Sequence, residues 1–331
     1  MTTTTQINYR ELAHGVLAGH QLTKEEALAL LQAPDEDLLD IMHAAYIIRK
    51  HYYGNKVKLN MIINAKSGLC PEDCGYCSQS IVANTPVEKY AMLNKESILA
   101  GAREAINRKA GTYCIVASGR RPSDNELDGV IEAIKEIRET TQLKICACLG
   151  FLSETHAGKL ADAGVHRYNH NLNTDQSNYE NICSTHTYDD RVDTVQKVKA
   201  SGMSPCSGVI MGMGESEQEL VNVAFSIKAL DVDSIPVNFL NSIDGTPLEG
   251  VQHLNPRKCL KAVAMFRFVN PTKEIRLSGG REINLRSLQS LGLYAANSIF
   301  VGDYLTTQGQ EPTADWGMIS DLGFEIEECA L

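Results

Sequence analysis

Three cysteines lie close together in segment 64–80, and their spacing is C-x3-C-x2-C. They are Cys70, Cys74 and Cys77, and no further cysteine follows before Cys114. Cysteine thiolates are the usual ligands of iron–sulfur clusters, and ferredoxin spacings supply a fourth cysteine that this segment lacks. Three thiolates would leave one iron of a four-iron cluster open to a chelating substrate. The loop therefore predicts a cluster with an open coordination position.

A zinc site is the alternative for the same loop. A closed structural zinc site has four ligands, with a second cysteine pair or a histidine at a matching distance. No histidine lies between His51 and His156, so the chain offers no such partner nearby. The spacing therefore favours iron–sulfur over zinc.

Further cysteines occur in short apolar segments along the chain. Cysteine packs like a small apolar side chain, so each one alone is interpreted as a core residue. Taken together, and beside the cysteine loop, these cysteines are equally compatible with a second metal site. Two of them are two residues apart and would face the same side of a strand, so either could be the ligand. These cysteines are Cys114, Cys146, Cys148 and Cys206, whereas Cys183, Cys259 and Cys329 are predicted to be small buried residues.

Eight short apolar segments predict strands that could position these groups. Amphipathic helical patterns fill most of the gaps, and this alternation predicts a parallel (β/α)8 barrel of the TIM type rather than an open sheet. Pro236 should weaken the sixth strand, because proline cannot complete a ladder. In such a barrel, reactive groups lie at the C-terminal ends of the strands. The segments are 59–64, 112–117, 144–149, 165–170, 205–210, 234–239, 274–278 and 298–302.

The N-terminal part of the chain is predicted to be helical over residues 8–52. Thr23 followed by Glu26 predicts a capping box at the start of one of these helices. We expect an N-terminal helical extension over 1–52, a barrel over 53–325 and a short tail over 326–331.

Composition excludes several classes of protein. The chain has 331 residues, with 41 acidic and 31 basic side chains and a net charge of −10. An acidic chain argues against nucleic acid as the main ligand. No signal peptide or long apolar stretch is present, so we expect a cytoplasmic protein that does not enter a membrane. Ten cysteines in that compartment are not expected to form disulfides.

Several motifs together resemble the biotin synthase family of the radical S-adenosylmethionine superfamily. The resemblance extends from about residue 45 to residue 325. CPEDCGYC is the motif of the superfamily, and the other segments are specific to the family. They are TYCIVASGR, KICACLG, RYNHNLNT, SPCSGVIMGMGE, IPVNFLNSIDGTPL, IRLSGGRE and SIFVGDYLTT.

The resemblance implies an enzyme that inserts sulfur into dethiobiotin to make biotin. It implies that Cys70, Cys74 and Cys77 hold a 4Fe–4S cluster, which cleaves S-adenosylmethionine to a 5′-deoxyadenosyl radical. An unactivated C–H bond offers no acid–base handle, so such a reactive cofactor is needed. A flavodoxin or ferredoxin as reductant and a homodimer are further expectations.

A second, 2Fe–2S cluster is also implied, with Cys114, Cys146, Cys206 and Arg276 as its ligands and a role as sulfur donor. A guanidinium stays protonated and has no free lone pair for a metal. Arg276 could instead be a buried ion-pair residue with Glu274 or Glu282. It is retained as a ligand on the resemblance alone.

The remaining site residues are polar groups and glycines. Asn169, Asn171 and Asn173 alternate and would face one way on a strand, where buried amides need partners. His170 would point the other way and be structural, and Arg191 could instead be a surface residue. The resemblance implies cofactor contacts from Tyr76, Asn171, Asn173, Arg191, Gly212 and Gly214, and substrate contacts from Asn169, Asn171, Asn238, Thr306 and Thr307.

Two other functions remain open. A different radical S-adenosylmethionine enzyme with an auxiliary cluster could share the cysteine loop. A non-catalytic zinc or iron–sulfur protein could also carry these cysteines.

Overall fold

Parallel strands form a closed barrel at the centre of the molecule. The computed structural model describes residues 7–327. Hydrogen bonding passes from β1 through each neighbour to β9 and returns to β1, while β10 pairs with the first residues of β1. The strands are β1 (Lys56–Lys66), β2 (Thr112–Ala117), β3 (Lys144–Cys148), β4 (Arg167–Asn169), β5 (Ser204–Cys206), β6 (Val209–Met211), β7 (Ser234–Phe239), β8 (Glu274–Leu277), β9 (Ser298–Phe300) and β10 (Glu325–Ile326).

Helices surround the barrel and bury their apolar faces against it. In α5, for example, Leu127, Val130, Ile134 and Ile137 are all buried, as the helical spacing of these residues predicts. The helices are α1 (Tyr9–Leu17), α2 (Lys24–Gln32), α3 (Leu38–Tyr53), α4 (Lys95–Asn107), α5 (Asp124–Thr140), α6 (Glu154–Asp162), α7 (Tyr179–Ile182), α8 (Tyr188–Ala200), α9 (Glu217–Ala229), α10 (Pro256–Val269), α11 (Arg281–Leu285), α12 (Gln289–Gly292) and α13 (Pro312–Asp321).

The first three helices pack on the outside of the barrel helices. α1 packs against α3, α3 packs against α10, and α2 lies against α9 and α10. The capping box predicted at Thr23 and Glu26 is present at the start of α2. Because α10 is covered by α2 and α3, it is buried over most of its length.

The eight predicted strands correspond to the eight strand positions of the barrel, so the TIM-type fold is confirmed. The fifth predicted strand is divided into β5 and β6 by Ser207 and Gly208. The fourth predicted strand ends at Asn169 rather than at residue 170. The long gap after β1 holds a large loop followed by α4. Within residues 7–327, no helix combines the length and the apolar composition that a membrane crossing needs.

Pro236 lies inside β7 without interrupting it, contrary to the expected weakening. Val237 accepts a hydrogen bond from Ser278 of the β8 side, whereas Ser234 accepts one from Ser207 on the β5–β6 side. Pro236 therefore faces the break between β5 and β6, because neighbouring residues of a strand bond to opposite sides. Gly208 packs so closely there that a Cβ atom would lie 1.9 Å from the Pro236 carbonyl oxygen.

Replacing Gly208 with alanine should therefore destabilise the barrel by about 3 kcal/mol, because the clash is with backbone. Chemical denaturation would measure the change in the free energy of unfolding. Gly158→Ala is the matched control, since its Cβ in α6 would meet no atom within 4 Å. That variant should change stability by less than about 1 kcal/mol, in the stabilising direction. Equal stability of the two variants would contradict this account of the strand break.

Candidate metal centre

A cavity of about 330 Å³ lies inside the barrel and opens at the C-terminal ends of its strands. This is the end at which TIM-type barrels carry their reactive groups. The cavity brings together most of the predicted site residues. They come from the loop after β1, from five further strands or the loops that follow them, and from α8. They are Cys70, Cys74, Tyr76, Cys77, Cys114, Cys146, Asn169, Asn171, Asn173, Arg191, Asn238 and Arg276.

The three-cysteine loop follows β1 and is folded into consecutive turns. The Cys77 amide donates to the Cys74 carbonyl, and the Ser80 amide donates to the Cys77 carbonyl, each over 3.1 Å. The Gly75 amide donates to the Ile182 carbonyl over 2.9 Å, which ties the loop to the end of α7. All three thiols therefore reach the same cavity from one short segment.

Two acidic residues inside this loop anchor it to segment 182–186. Asp73 accepts hydrogen bonds from the backbone amides of Ser184 and Thr185, at 3.0 and 3.2 Å. Glu72 accepts from the Thr185 hydroxyl at 2.6 Å and from Arg120 at 3.1 Å. Burial disfavours the charge of Glu72, but these donors offset it and lower the pKa of the carboxyl. These contacts hold the loop against segment 182–186.

Cys183 is buried, as predicted, but it contacts polar partners as well as apolar ones. Its Sγ lies 3.8 Å from Cys74 Sγ and 3.3 Å from Nδ1 of His186. The hydrogen bond from Cys74, with help from His186, lowers the pKa of Cys183 to about 5. The same bond and burial raise the pKa of Cys74. Cys259 is buried in α10 as predicted, and Cys329 lies outside the described residues.

A second group of thiols lies deeper in the barrel. Cys114 and Cys146 are direct neighbours on β2 and β3, and Cys206 stands opposite Asn169 on β5 and β4. The Asn169 amide donates to Cys206 Sγ over 3.2 Å. Hydrogen bonding to Cys114 and burial raise the pKa of Cys146, while burial raises that of Cys206.

Cys148 also lines the cavity and lies two residues beyond Cys146 on β3. Burial raises the pKa of its thiol to about 12. The two side chains point the same way, as the sequence spacing predicts. Cys146 lies level with Cys114, whereas Cys148 lies level with Val116, so Cys146 is the closer match to the deeper thiols.

Beneath these thiols, one carboxylate joins two buried arginines. Glu274 accepts hydrogen bonds from Arg167 at 3.1 Å and from Arg276 at 2.6 Å, and Ser234 donates to it at 2.9 Å. Burial opposes ionisation of Glu274, but the two guanidinium groups more than offset it and hold its pKa well below the usual range. Arg276 also donates from Nε to Ser298. Arg276 is therefore paired with Glu274 rather than Glu282, while it still lines the cavity.

The three asparagines do not share one strand, which corrects the predicted alternation. β4 ends at Asn169, and Asn173 has a positive φ of 70°. All three side chains nevertheless reach the cavity, where Asn169 donates to Asn171 over 2.9 Å and Asn173 donates to the Tyr76 hydroxyl over 2.6 Å. His170 also lines the cavity, contrary to the prediction, because it follows the last residue of the strand.

Arg191 is buried at the wall of the cavity rather than exposed on the surface. It extends from α8 and donates to the Asn171 carbonyl over 3.0 Å and to His186 Nε2 over 2.8 Å. It also donates to the Tyr179 hydroxyl. These contacts place a fixed positive charge beside the cysteine loop.

A second cavity of about 230 Å³ adjoins the first and shares part of its wall, including Tyr76, Cys77 and Asn238. Both amide atoms of Asn238 are engaged, since Nδ2 donates to Val209 and Oδ1 accepts from the Gly279 amide, each over 3.0 Å. Thr306 and Thr307 line this second cavity. The Thr306 hydroxyl lies 2.7 Å from that of Ser78.

Gly212 and Gly214 lie in a tight turn after β6 and line neither cavity. Both have a φ of about 100°, which favours glycine. The amides of Gly212 and Met213 donate to the Glu215 carboxylate at 2.6 and 2.8 Å. The turn is therefore closed by its own side chain.

The donor set at the mouth of the cavity fits a four-iron cluster with three protein ligands. Three thiols from one anchored loop reach one space, which also has room for a further ligand. The deeper thiols, grouped around Arg276, form a separate donor set on the strands themselves. Sequence reasoning missed Glu72, Arg167 and His186, although the acidic pair within a thiolate loop was a visible signal of an anchor.

Two protein-family models match this chain. The family model "Radical SAM superfamily" matches residues 66–227. The model "Biotin and Thiamin Synthesis associated domain" matches residues 236–325. The radical SAM model covers the cysteines of both groups. The second model covers Arg276 and the strands that complete the barrel.

Full-length relatives are similar over almost the whole chain. Proteins named biotin synthase from Bacillus thuringiensis (strain Al Hakam) and from Bacillus anthracis are each 69% identical over 327 residues. The alignment covers 99% of this chain and 98% of each relative.

Solved structures with low sequence identity share the fold. A methylornithine synthase superimposes with a TM-score of 0.84 at 20% identity, covering 96% of this chain and 98% of that one. An FeFe-hydrogenase maturase from Carboxydothermus hydrogenoformans gives a TM-score of 0.81 at 17% identity, covering 97% of this chain and 80% of that one.

Replacing Glu274 with glutamine should destabilise the protein by about 3–5 kcal/mol, because it leaves Arg167 and Arg276 buried without their countercharge. The free energy of unfolding from chemical denaturation would measure the loss. The control is Asp193→Asn, which breaks an exposed pair with Lys197 in α8. It should cost less than about 1 kcal/mol. A Glu274→Gln loss no larger than the control would contradict the importance of this buried carboxylate.

Proposed function

The chain belongs to the biotin synthase family of radical S-adenosylmethionine enzymes, and we propose on that premise that it converts dethiobiotin to biotin by inserting sulfur. The observation that carries the proposal is that thiols of two separate sets line one cavity, with Cys114 and Cys146 representing the second set. One set lies on the anchored loop at the mouth, and the other lies on the strands below.

Cys70, Cys74 and Cys77 are the proposed ligands of the 4Fe–4S cluster. When bound, this cluster and S-adenosylmethionine supply a 5′-deoxyadenosyl radical that can remove hydrogen from an unactivated carbon. The contribution of the chain is to hold the three thiols in position through Glu72 and Asp73, and to keep the reacting space enclosed by the barrel.

Cys114, Cys146, Cys206 and Arg276 are the proposed ligands of an auxiliary 2Fe–2S cluster that serves as the sulfur donor. The adjacency of Cys114 and Cys146 and the approach of Arg276 from β8 support this set. The Nε and one Nη of Arg276 bond to Ser298, Ser234 and Glu274, whereas these partners do not engage Nη1. Glu274 thus orients the guanidinium toward the thiols.

S-adenosylmethionine is the proposed ligand of the upper cavity wall. Tyr76, Asn171 and Asn173 offer hydroxyl and amide groups there, and Arg191 offers a buried positive charge suited to a carboxylate. Gly212 and Gly214 are proposed to bring the nearby backbone close to the cofactor. The backbone amide of Gly212 already donates to Glu215, so the proposed role of this turn is close backbone approach and not hydrogen-bond donation by that amide.

Dethiobiotin is the proposed occupant of the space between the deeper thiols and the second cavity. Asn169, Asn171 and Asn238 supply amides for its ureido ring, and Thr306 and Thr307 supply hydroxyl and backbone groups for its carboxylate. Because the two cavities share Asn238 in their walls, one elongated molecule could contact both groups.

The remaining expectations complete the proposal. A flavodoxin or ferredoxin is proposed to deliver electrons, and the enzyme is proposed to be a cytoplasmic homodimer. Its organisation is proposed as a helical extension over 1–52, the barrel over 53–325 and a tail over 326–331.

Cys77→Ala and Cys206→Ala should separate the two clusters. Cys77→Ala removes one of only three loop thiolates and should abolish S-adenosylmethionine cleavage. Cys206→Ala should retain cleavage in the presence of a reductant but form no biotin. Anaerobic assays of deoxyadenosine and biotin, with iron and sulfide counts, provide the measurement. The unaltered protein should contain about six irons per chain, and Cys206→Ala about four.

Cys259→Ala is the control, since this buried cysteine lies in α10 away from the cavity, and it should keep both activities. Normal biotin yield from Cys206→Ala would reject the sulfur-donor site. A colourless protein with stoichiometric zinc would reject the radical chemistry. Cleavage of S-adenosylmethionine without biotin formation in the unaltered protein would favour another member of the superfamily.

Thr306→Val should raise the KM for dethiobiotin about fivefold, because it removes one hydroxyl hydrogen bond worth about 1 kcal/mol. The KM for S-adenosylmethionine should be unchanged. Steady-state biotin formation at varied dethiobiotin would measure the effect. Thr140→Val, at the exposed end of α5, is the matched control. An unchanged KM in Thr306→Val would remove Thr306 from the substrate site.

A further inference from the structure

Cys74, Cys183 and His186 form a compact group beside the cysteine loop. Each is buried, and one ligand atom from each lies within 4.8 Å of the other two. Only Cys74 belongs to the ligand set proposed above. Cys183 and His186 come from the segment that anchors the loop, more than 100 residues later in the chain.

Two separations within this group match the edges of a tetrahedral zinc site. With Zn–S bonds of about 2.3 Å, two thiolates lie about 3.8 Å apart, and a thiolate and an imidazole nitrogen lie about 3.5 Å apart. The two Sγ atoms are 3.8 Å apart, and Cys183 Sγ lies 3.6 Å from His186 Nε2. Cys183 Sγ also lies 3.3 Å from Nδ1, so it stands beside the ring, nearly midway between the two nitrogens. The Cys183 thiol or the imidazole must therefore rotate before both can bind one ion.

The hydrogen bond between His186 and Glu72 also suits a metal ligand. Its Nδ1 lies 2.5 Å from a Glu72 carboxylate oxygen, so this nitrogen donates and Nε2 carries the lone pair. A carboxylate behind the imidazole is the usual arrangement at zinc sites. Arg191 now donates to Nε2 and would have to give way. Two thiolates would neutralise the charge of the ion, so Arg191 would face a neutral site.

We propose that, in the protein without its iron–sulfur cluster, Cys74, Cys183 and His186 bind one zinc ion with water as the fourth ligand. Binding requires both sulfurs as thiolates, so it displaces any thiol proton they still carry together with one arginine hydrogen bond, and no electron is transferred. Cys74 cannot serve this ion and the 4Fe–4S cluster together. Zinc therefore blocks cluster assembly, and this second statement rests on the proposed role of Cys74 in the cluster.

The zinc site is tested on the full chain, freed of metal and reduced under anaerobic conditions. Titration with Co²⁺ should give a thiolate-to-cobalt absorption that saturates at one equivalent, and Zn²⁺ should bleach it. Competition with a chromophoric chelator measures the zinc affinity. Cys183→Ala and His186→Gln should each weaken zinc binding by about 100-fold or more.

Two sets of control variants separate this site from other thiols. Cys259→Ala should leave the zinc affinity unchanged. Cys70→Ala and Cys77→Ala should change it little, because neither residue belongs to the zinc site. If zinc instead depends on Cys70 and Cys77 but not on Cys183 or His186, the ion binds the cysteine loop itself and the proposal is overturned. Failure to bind one equivalent also overturns it.

Competition with cluster assembly is measured separately. Zinc-loaded protein should incorporate iron and sulfide several-fold more slowly than metal-free protein, whereas zinc should not slow the Cys183→Ala variant. If zinc binds as described but does not slow assembly, the zinc site stands and the sharing of Cys74 is rejected. Circular dichroism of each variant would verify that it is folded.

Discussion

The ion-pair network around Glu274 is the constraint on which the interior of this barrel depends. Parallel barrels are normally filled by layers of branched apolar side chains. Here the carboxylate on β8 instead joins Arg167 of β4 to Arg276, with Ser234 of β7 bonded to it as well. Buried charges are tolerated only when they are paired and hydrogen-bonded. This buried ion-pair network takes the place of an apolar layer and leaves room above it for thiols and amides that a filled apolar core would exclude.

The two thiol sets are held by different physical means. Cys114 and Cys146 are fixed by strand register, so their separation is set by the backbone ladder. The loop thiols have no such ladder, and their position depends on turns and on the donors that Ser184 and Thr185 offer to Asp73. The acidic residues within the loop thus perform the positioning that the sheet performs elsewhere.

Much of this arrangement could be predicted from the sequence. The eight apolar segments predicted the strands of the barrel, because strand periodicity is a local property. The alternation of the asparagines failed beyond Asn169, because it assumed a strand that ends there. Cys183 and His186 could not be linked to Cys74 in advance, since their approach depends on how α7 and the loop after it pack against a segment more than 100 residues earlier. The burial of Arg191 likewise depends on how α8 packs, which the sequence does not show.

The pairing of β10 with the first residues of β1 has a practical consequence. Glu325 and Ile326 lie beside Lys56 and Val57, at the N-terminal ends of the barrel strands. The cavity opens at the opposite ends. A protein tethered to an electrode or resin through a handle that follows Ile326 would therefore be held by its base, with the open rim facing the bulk solution.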